Sequence, residues 1–343
     1  MRTAVLKEPG RLEIEERPEP DPASDEVLVA IGEVGICGSD LHYYEHGRIG
    51  DYVVEDPLIL GHESAGEVTA VGEQVADLRV GDRVALEPGV PCRRCAHCKR
   101  GEYNLCPDVT FMATPPDDGA FAEYVVWPAD FAYRLPESVS IREGALCEPL
   151  SVGIHAARRG EVGVGDSVLV TGAGPIGLLA MAAVHAGGAS EVLVSEVVDA
   201  KRRRAEERGA DATIDPSETD LAEAVADHAN RSGVDVVIEA SGAKSAIAGS
   251  LDAVRRGGTV VFVGLAPEAE VPLNVLDIVD NELDVRGSFR YRNTYPSAVD
   301  LLADGAVDVE GIVDFAADLA DVDDAFRRAM DGETVKGMVT VGE

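Results

Sequence analysis

Three residues near the start of the chain have the chemistry to share one metal ion. Cys37 opens the stretch CGSDLHYYEHGRIGDYVV, and His62 and Glu63 sit together in PLILGHESAGEV. A thiolate, an imidazole and a carboxylate are donors that zinc accepts, and a catalytic zinc keeps one position open. A second set reads Cys92-x₂-Cys95-x₂-Cys98-x₇-Cys106. Tight CxxC steps turn successive sulfurs toward one tetrahedral ion, and a closed Cys₄ set is the pattern of a structural zinc. A redox pair needs neither the third nor the distant fourth cysteine. Cys147 reads as a small buried apolar residue.

A third constellation handles phosphate. Gly172-x-Gly174-x-x-Gly177 follows the strand-like run Val168–Val170 and opens an apolar helix, with Pro175 and Ile176 between the last two glycines. Glycines let the backbone approach a pyrophosphate, and the helix N-terminus favours its charge. The next strand, EVLVSE, ends at Glu196, nineteen positions after Gly177. An acid there receives the adenosine ribose hydroxyls and repels a 2′-phosphate, which predicts NAD over NADP. The run from Lys201 to Arg204 offers an offsetting positive charge, or simply a solvated helix face.

These residues need elements to carry them. RLEIEE, EVLVAIGEVGI, Ala65–Val71 and Asp82–Leu86 read as strands broken by proline and glycine turns, an all-β opening. GALCEPLSVGIHAARR reads as one helix leading onward, with Glu148 near its start, where a carboxylate also suits the helix dipole. AIAGSLDAVRR reads as another helix. From Asp166 strands and helices alternate, giving six strands with helical crossovers and a doubly wound sheet. The tail from Arg292 carries two amphipathic helices, in YPSAVDLLADG and DDAFRRAMDG, and a last strand, VKGMVTV.

The run GHESAGEVTAVGEQVADLRVGDRV resembles the zinc signature of medium-chain alcohol dehydrogenases. CGSDLHYYEHGRIGDYVV with PLILGHE, and later FRYRNTYP, is similar to the sorbitol/xylitol (polyol) dehydrogenase branch. The resemblance runs through nearly the whole chain. It implies an α/β protein: a GroES-like β-rich catalytic domain with a structural-zinc lobe over 1–150, a Rossmann NAD-binding domain over 151–290, and a segment 291–343 returning to the first. It implies catalytic and structural zinc, NAD, and oxidation of a secondary alcohol of a polyol, such as sorbitol or xylitol, to the ketose. A sibling specificity for threonine, butanediol or an aldose such as glucose shares these motifs. A non-catalytic NAD(P)H-binding protein would not need the complete ligand set.

The same resemblance assigns further roles. Cys37 and His62 are the catalytic metal ligands, joined by Glu63, a direct ligand in polyol relatives and an outer group in other members. Glu148 lies at the metal, as a donor or as a holder of water or substrate. Asp40 orients His62, and Ser39 passes the alcohol proton onward. Tyr43, Phe111, Glu148, Arg290 and Tyr291 line the substrate site. Val263, Gly264, Leu265, Ser288, Phe289 and Arg290 flank the nicotinamide half of the cofactor, and Ile176 and Lys201 the adenosine half. A homo-oligomer, tetramer or dimer, is the family analogy.

Composition bounds the setting. The chain has 343 residues and 45% hydrophobic content, enough for two domains with cores. No apolar run reaches membrane-spanning length and the N-terminus lacks a signal-peptide core, so a cytoplasmic protein is expected. The formal net charge is −33, with 63 acids against 30 bases and only five lysines. A phosphate-rich partner needs a basic surface, so nucleic-acid binding is disfavoured. The acids are scattered along the chain, the pattern of a protein adapted to a salt-accumulating cytoplasm. Such charge repels itself in dilute buffer. At about 1 M salt the screening length falls to about 3 Å and the repulsion fades. Activity and melting temperature are therefore expected to rise as salt goes from roughly 0.1 to 3 M; a flat melting curve series removes the halophilic reading.

Overall fold

The computed structural model describes residues 1–229, 232–266 and 270–342. The chain divides into two compact units, Met1–Glu148 with Tyr295–Glu343, and Pro149–Thr294.

The first unit is β-rich. Its main sheet runs in the order Ala132–Arg134, Arg83–Leu86, Glu63–Val71, Glu26–Gly35, Lys336–Thr340 and Val313–Asp318, with Tyr124–Pro128 also paired to Glu26–Gly35. Glu26–Gly35 sits between neighbours and is mostly buried, which its three valines and Ile31 suit. It pairs antiparallel with Glu63–Val71, so that Gly35 lies opposite Glu63, and antiparallel with the last strand, so that Gly35 also lies opposite Met338. The C-terminal segment thus completes the sheet that carries the candidate metal ligands. Tyr295 adds a second tie, its hydroxyl donating to the Leu86 carbonyl at 2.8 Å. Val313–Asp318, parallel to the last strand, is an element that sequence periodicity did not predict. The core closes on Phe121 and Phe326, packed edge to face.

The second unit is a six-stranded parallel sheet in the order Ala212–Ile214, Glu191–Ser195, Ser167–Thr171, Val234–Glu239, Val254–Phe262 and Asp284–Gly287. In chain order these are its third, second, first, fourth, fifth and sixth strands, the doubly wound arrangement with its ligand crevice at the strands' carboxyl ends. Ser167–Thr171 is buried throughout, as expected of a strand covered on both faces.

Two helical expectations need correction. GALCEPLSVGIHAARR is two helices, Ile141–Ala145 and Cys147–Arg159. Pro149 has no N–H to donate, so it fits the first turn of a new helix and not the interior of one long helix. Likewise the helix Lys244–Ala253 stops at Ala253; Val254 instead pairs with Val234 and starts the next strand.

One buried acid stands out in the first unit. Glu87 is 1% exposed, and its carboxylate accepts from Tyr103 Oη at 2.7 Å and Tyr133 Oη at 2.9 Å. Tyr103 lies between Cys98 and Cys106, so this acid anchors the cysteine-rich lobe to the sheet. Burial pushes its pKa up from 4.5 to about 7, against the two tyrosine hydrogen bonds, with Asp130 adding repulsion. The folded protein therefore holds this proton more tightly than the unfolded chain. Stability from this group is full below the unfolded value and lost as pH rises through the folded one. Glu87→Gln, which mimics the protonated acid, is expected to remove ~3 kcal/mol of the parent's stability loss between about pH 4.5 and 7, read by chemical denaturation at each pH.

Candidate functional site

Cys37, His62 and Glu63 converge. Their ligand atoms lie within 4.8 Å of one another, at the end of one strand and the start of another. Asp40 organises the approach. Its Oδ2 accepts from Cys37 N at 3.0 Å and its Oδ1 from Gly61 N at 3.0 Å, so one carboxylate fixes the backbone beside two donors. The same Oδ1 lies 3.6 Å from His62 Nδ1. Gly61 has φ +88°, and a Cβ there would strike Phe121 and Val34 at 2.9 Å, so the turn that delivers His62 requires glycine. Burial opposes a charge on His62, but Asp40 and then Cys37 outweigh it and raise its pKa well above the ordinary value. A cation bound by these donors displaces protons, as metal sites generally do.

Glu63 has a partner that sequence reasoning missed. Lys336 Nζ lies 2.8 Å from both Glu63 carboxylate oxygens and donates to the Ile36 carbonyl at 3.0 Å. Both side chains are about 1% exposed. The pair spans the strand between them because Gly35 has no side chain: a Cβ there would lie 1.9 Å from Glu63 Oε2. The signal available was a lone lysine inside the apolar run VKGMV, in a chain with only five lysines. Burial opposes its charge, while Glu63 and then Cys37 sustain it, so its pKa is raised. Glu148 is buried near enough for its charge to act on Lys336, yet lies outside the three-donor group. Phe111 packs against His62, ring centroids 5.7 Å apart. Ser39 and buried Tyr43 ride the helix Gly38–His46, which follows directly from Cys37.

The four cysteines also converge within 4.8 Å. Cys95 and Cys98 sulfurs are 3.4 Å apart and Cys92 and Cys98 sulfurs 4.0 Å apart. A Zn–S length of about 2.3 Å spaces the corners of a tetrahedron by about 3.8 Å, so the set fits zinc. Backbone amides of Arg94 and Cys95 lower the Cys92 pKa to about 7, favouring the thiolate that a metal needs. Burial pushes the metal-free Cys98 thiol up to about 12, with its sulfur neighbours adding to the rise.

In the second unit Gly172 and Gly174 lie in the turn after Ser167–Thr171, and Pro175, Ile176 and Gly177 are the first three residues of the helix Pro175–Ala186. Gly177 packs so tightly that a Cβ would lie 1.8 Å from the Gly172 carbonyl. Glu196 stands at the end of the neighbouring strand, its carboxylate accepting from Ala173 N and Val198 N, each at 2.9 Å. Lys201 lies on the helix Asp199–Glu207 just beyond. Val263 and Gly264 follow Val254–Phe262 and donate to the Glu239 carbonyl; Leu265 is 71% exposed. Ser288 N donates to the Phe262 carbonyl, and the Arg290 guanidinium lies over the exposed Phe289 ring at 4.9 Å. Arg290 has φ +51°, and Tyr291 is buried.

Two family models match: an alcohol dehydrogenase GroES-like domain over residues 23–137 and a zinc-binding dehydrogenase domain over residues 175–304. The chain is 48% identical to the sorbitol dehydrogenase of Bacillus subtilis over 341 residues, covering 99% of this chain and 97% of that one. It is 42% identical to D-xylulose reductase A of Aspergillus niger, covering 98% and 95%. An Escherichia coli oxidoreductase/dehydrogenase of unknown specificity has a solved structure that superposes with a TM-score of 0.96 at 37% identity, covering 100% of this chain and 99% of that one.

The Glu63–Lys336 pair yields a direct test. Removing one partner of a buried ion pair costs about 3–5 kcal/mol. Lys336→Met is expected to lower the melting temperature strongly in chelator, and much less with zinc, whose charge meets the stranded Glu63. Equal losses in both conditions assign Lys336 to packing alone.

Proposed function

The chain belongs to the zinc-binding alcohol dehydrogenase family with a GroES-like domain, and on that premise we propose that it oxidises a secondary hydroxyl of a polyol, such as sorbitol or xylitol, to the ketose with NAD. The observation that carries the reading is the convergent Cys37–His62–Glu63 donor set in a chain 48% identical to a sorbitol dehydrogenase. Bound zinc supplies a Lewis acid that lowers the pKa of a hydroxyl, and NAD supplies the hydride acceptor.

The protein's own residues do the rest. Cys37, His62 and Glu63 hold the catalytic ion, and Cys92, Cys95, Cys98 and Cys106 hold the structural one. Ser39 and Glu148 carry the alcohol proton away, with Glu148 the acid nearest to Lys336 in charge influence after Glu63 and Cys37. Tyr43, Phe111, Arg290 and Tyr291 bind the remaining hydroxyls and carbons, so that one carbon of the polyol is presented. Gly172, Gly174, Pro175, Ile176 and Gly177 receive the pyrophosphate. Glu196, with Lys201 nearby, receives the adenosine ribose; Val263, Gly264, Leu265, Ser288 and Phe289 flank the nicotinamide. The Glu196 carboxylate is already oriented by two turn amides, which favours NAD over NADP.

The working form is a homo-oligomer. Val275, Leu276 and Val279 are each more than 60% exposed, close in sequence to the edge strand Asp284–Gly287, and a second copy pairing there covers both. Among the described residues no helix is long and apolar enough to cross a membrane. The cytoplasm is the proposed location.

The deciding experiment is NAD reduction at molar salt across sorbitol, xylitol, threonine, butanediol and glucose. Turnover on the polyols is expected; turnover confined to one of the others moves the chain to a sibling specificity. Arg290→Ala is expected to reduce polyol oxidation far more than oxidation of a short secondary alcohol, by up to about 10⁴, because a site built for hydroxyls discriminates strongly. Equal losses on both substrates make Arg290 a cofactor or structural residue.

A further inference from the structure

We propose that Glu239 is a positioning residue that locks the glycine turn and the 263–265 loop into one cofactor cradle. The inference rests on the reading of those two segments as the dinucleotide site.

Glu239 ends the strand Val234–Glu239 at the carboxyl edge of the sheet and is 0% exposed. Its Oε1 accepts from Thr171 Oγ1 at 3.2 Å, Ser241 N at 2.8 Å, Ser241 Oγ at 2.5 Å and Gly242 N at 2.9 Å. Its main-chain carbonyl accepts from Val263 N at 2.8 Å and Gly264 N at 2.9 Å. One residue therefore reaches the strand ends on both of its sides.

The turn it holds is a wedge. Gly172, with φ +89°, lies so close to Ser241 that a Cβ would sit 2.9 Å from the Ser241 Cβ. On the other side a Cβ at Gly242 would lie 2.4 Å from the Leu265 carbonyl oxygen, and one at Gly264 would lie 2.2 Å from Gly242 N and 2.8 Å from Glu239 Oε2. The backbone of Ser241–Gly242 thus fills the space between the glycine turn and the 263–265 loop. Movement of this turn transmits to both.

The other carboxylate oxygen gives the second reason. Oε2 is buried with no hydrogen-bond partner among the described residues. A buried oxygen left in that state is a cost that a plain structural link has no need to carry. Oε1 therefore carries every side-chain bond, three to the turn and one to Thr171 on the neighbouring strand, so weakening that one acceptor loosens all of them together. Rigidity of the cradle before the cofactor arrives lowers the ordering cost of binding.

The test uses the full-length protein loaded with zinc, with NADH as the titrated ligand. Glu239→Gln keeps an acceptor oxygen and is expected to weaken NADH about three- to tenfold; Glu239→Leu removes every side-chain bond and is expected to weaken it by more than about tenfold. Zinc content stays at the parent value. In hydrogen exchange, peptides covering 171–175 and 262–266 are expected to exchange faster together in Glu239→Gln. Gly174→Ala is the control for the underlying reading: nothing lies within 4 Å of a Cβ there, so the fold accepts it, while a pyrophosphate against that turn does not. If Gly174→Ala loses NADH while both Glu239 variants bind within about twofold of the parent, the brace is overturned and the cofactor site stands. If Gly174→Ala binds NADH unchanged, the site reading falls and the brace with it. A lowered melting temperature with unchanged NADH affinity also overturns the proposal, as a structural role alone. Should Glu239→Leu not fold, Glu239→Gln carries the same decision through affinity and exchange.

Discussion

A buried ion pair across a glycine holds the first unit's chemistry in place. Glu63 and Lys336 come from strands on opposite sides of Glu26–Gly35, and they meet only because Gly35 leaves the space between them empty. Two charges removed from water are costly unless each meets an opposite charge and further hydrogen bonds. Here the ammonium satisfies both carboxylate oxygens and a main-chain carbonyl. The pair also explains why the chain returns from the second unit to finish the first: the lysine arrives on the last strand. Without that strand, Glu63 would be a buried acid with no lysine to meet it.

The second unit uses the same device, backbone approaching backbone where a side chain is missing. Gly172, Gly177, Gly242 and Gly264 each stand where a Cβ would meet another segment at under 3 Å. Close approach leaves little room for adjustment, so the crevice at the carboxyl ends of the strands is stiff. Glu239 is buried where those segments meet, much as Asp40 is buried where the loops bearing Cys37 and His62 meet. In both units one buried acid links segments far apart in sequence: Asp40 accepts from Cys37 N and Gly61 N, and Glu239 accepts from the Thr171 hydroxyl on its carboxylate and from Val263 N and Gly264 N on its main-chain carbonyl. Such bonds are directional, which suits the placing of ligands to within fractions of an ångström.

The surface obeys a different rule. A net charge of −33 is tolerated because most acids are solvated, and ion pairs among exposed groups add little. Among the exceptions are buried acids with specific work: Asp40 and Glu63 at the metal donors, Glu87 under the cysteine lobe, Glu239 under the cofactor turn. Glu87 is held by two tyrosines, whose hydrogen bonds do not offset its burial, and its pKa is raised. Glu63 is held by a lysine and faces a full opposite charge. The same residue type thus sits in two electrostatic settings within one unit, decided by what packs against it.

Much of this was legible in the chain itself. Metal-ligand types and spacings are local, so Cys92 to Cys106 declared a closed site, and the glycine turn declared itself by standing between a strand and a helix. Periodicity separated the β-rich opening from the alternating second half, because side-chain burial follows the period of the element. The family was readable from GHESAGEV and its neighbours. Other features depend on contacts between distant segments, which no local pattern encodes. Lys336 reaches Glu63 over 273 positions, and nothing in VKGMV says which acid it meets. Glu239 is only the last residue of an apolar strand in the sequence; that Thr171, Ser241 and Gly264 close around it is a property of the fold. The helix break at Leu146, three residues before Pro149, was settled only in the folded chain. Sequence by itself determined which donors exist and which elements carry them, since those follow from residue type and short spacing. Tertiary structure alone decided which charges are buried together, because burial and pairing are properties of strands brought side by side.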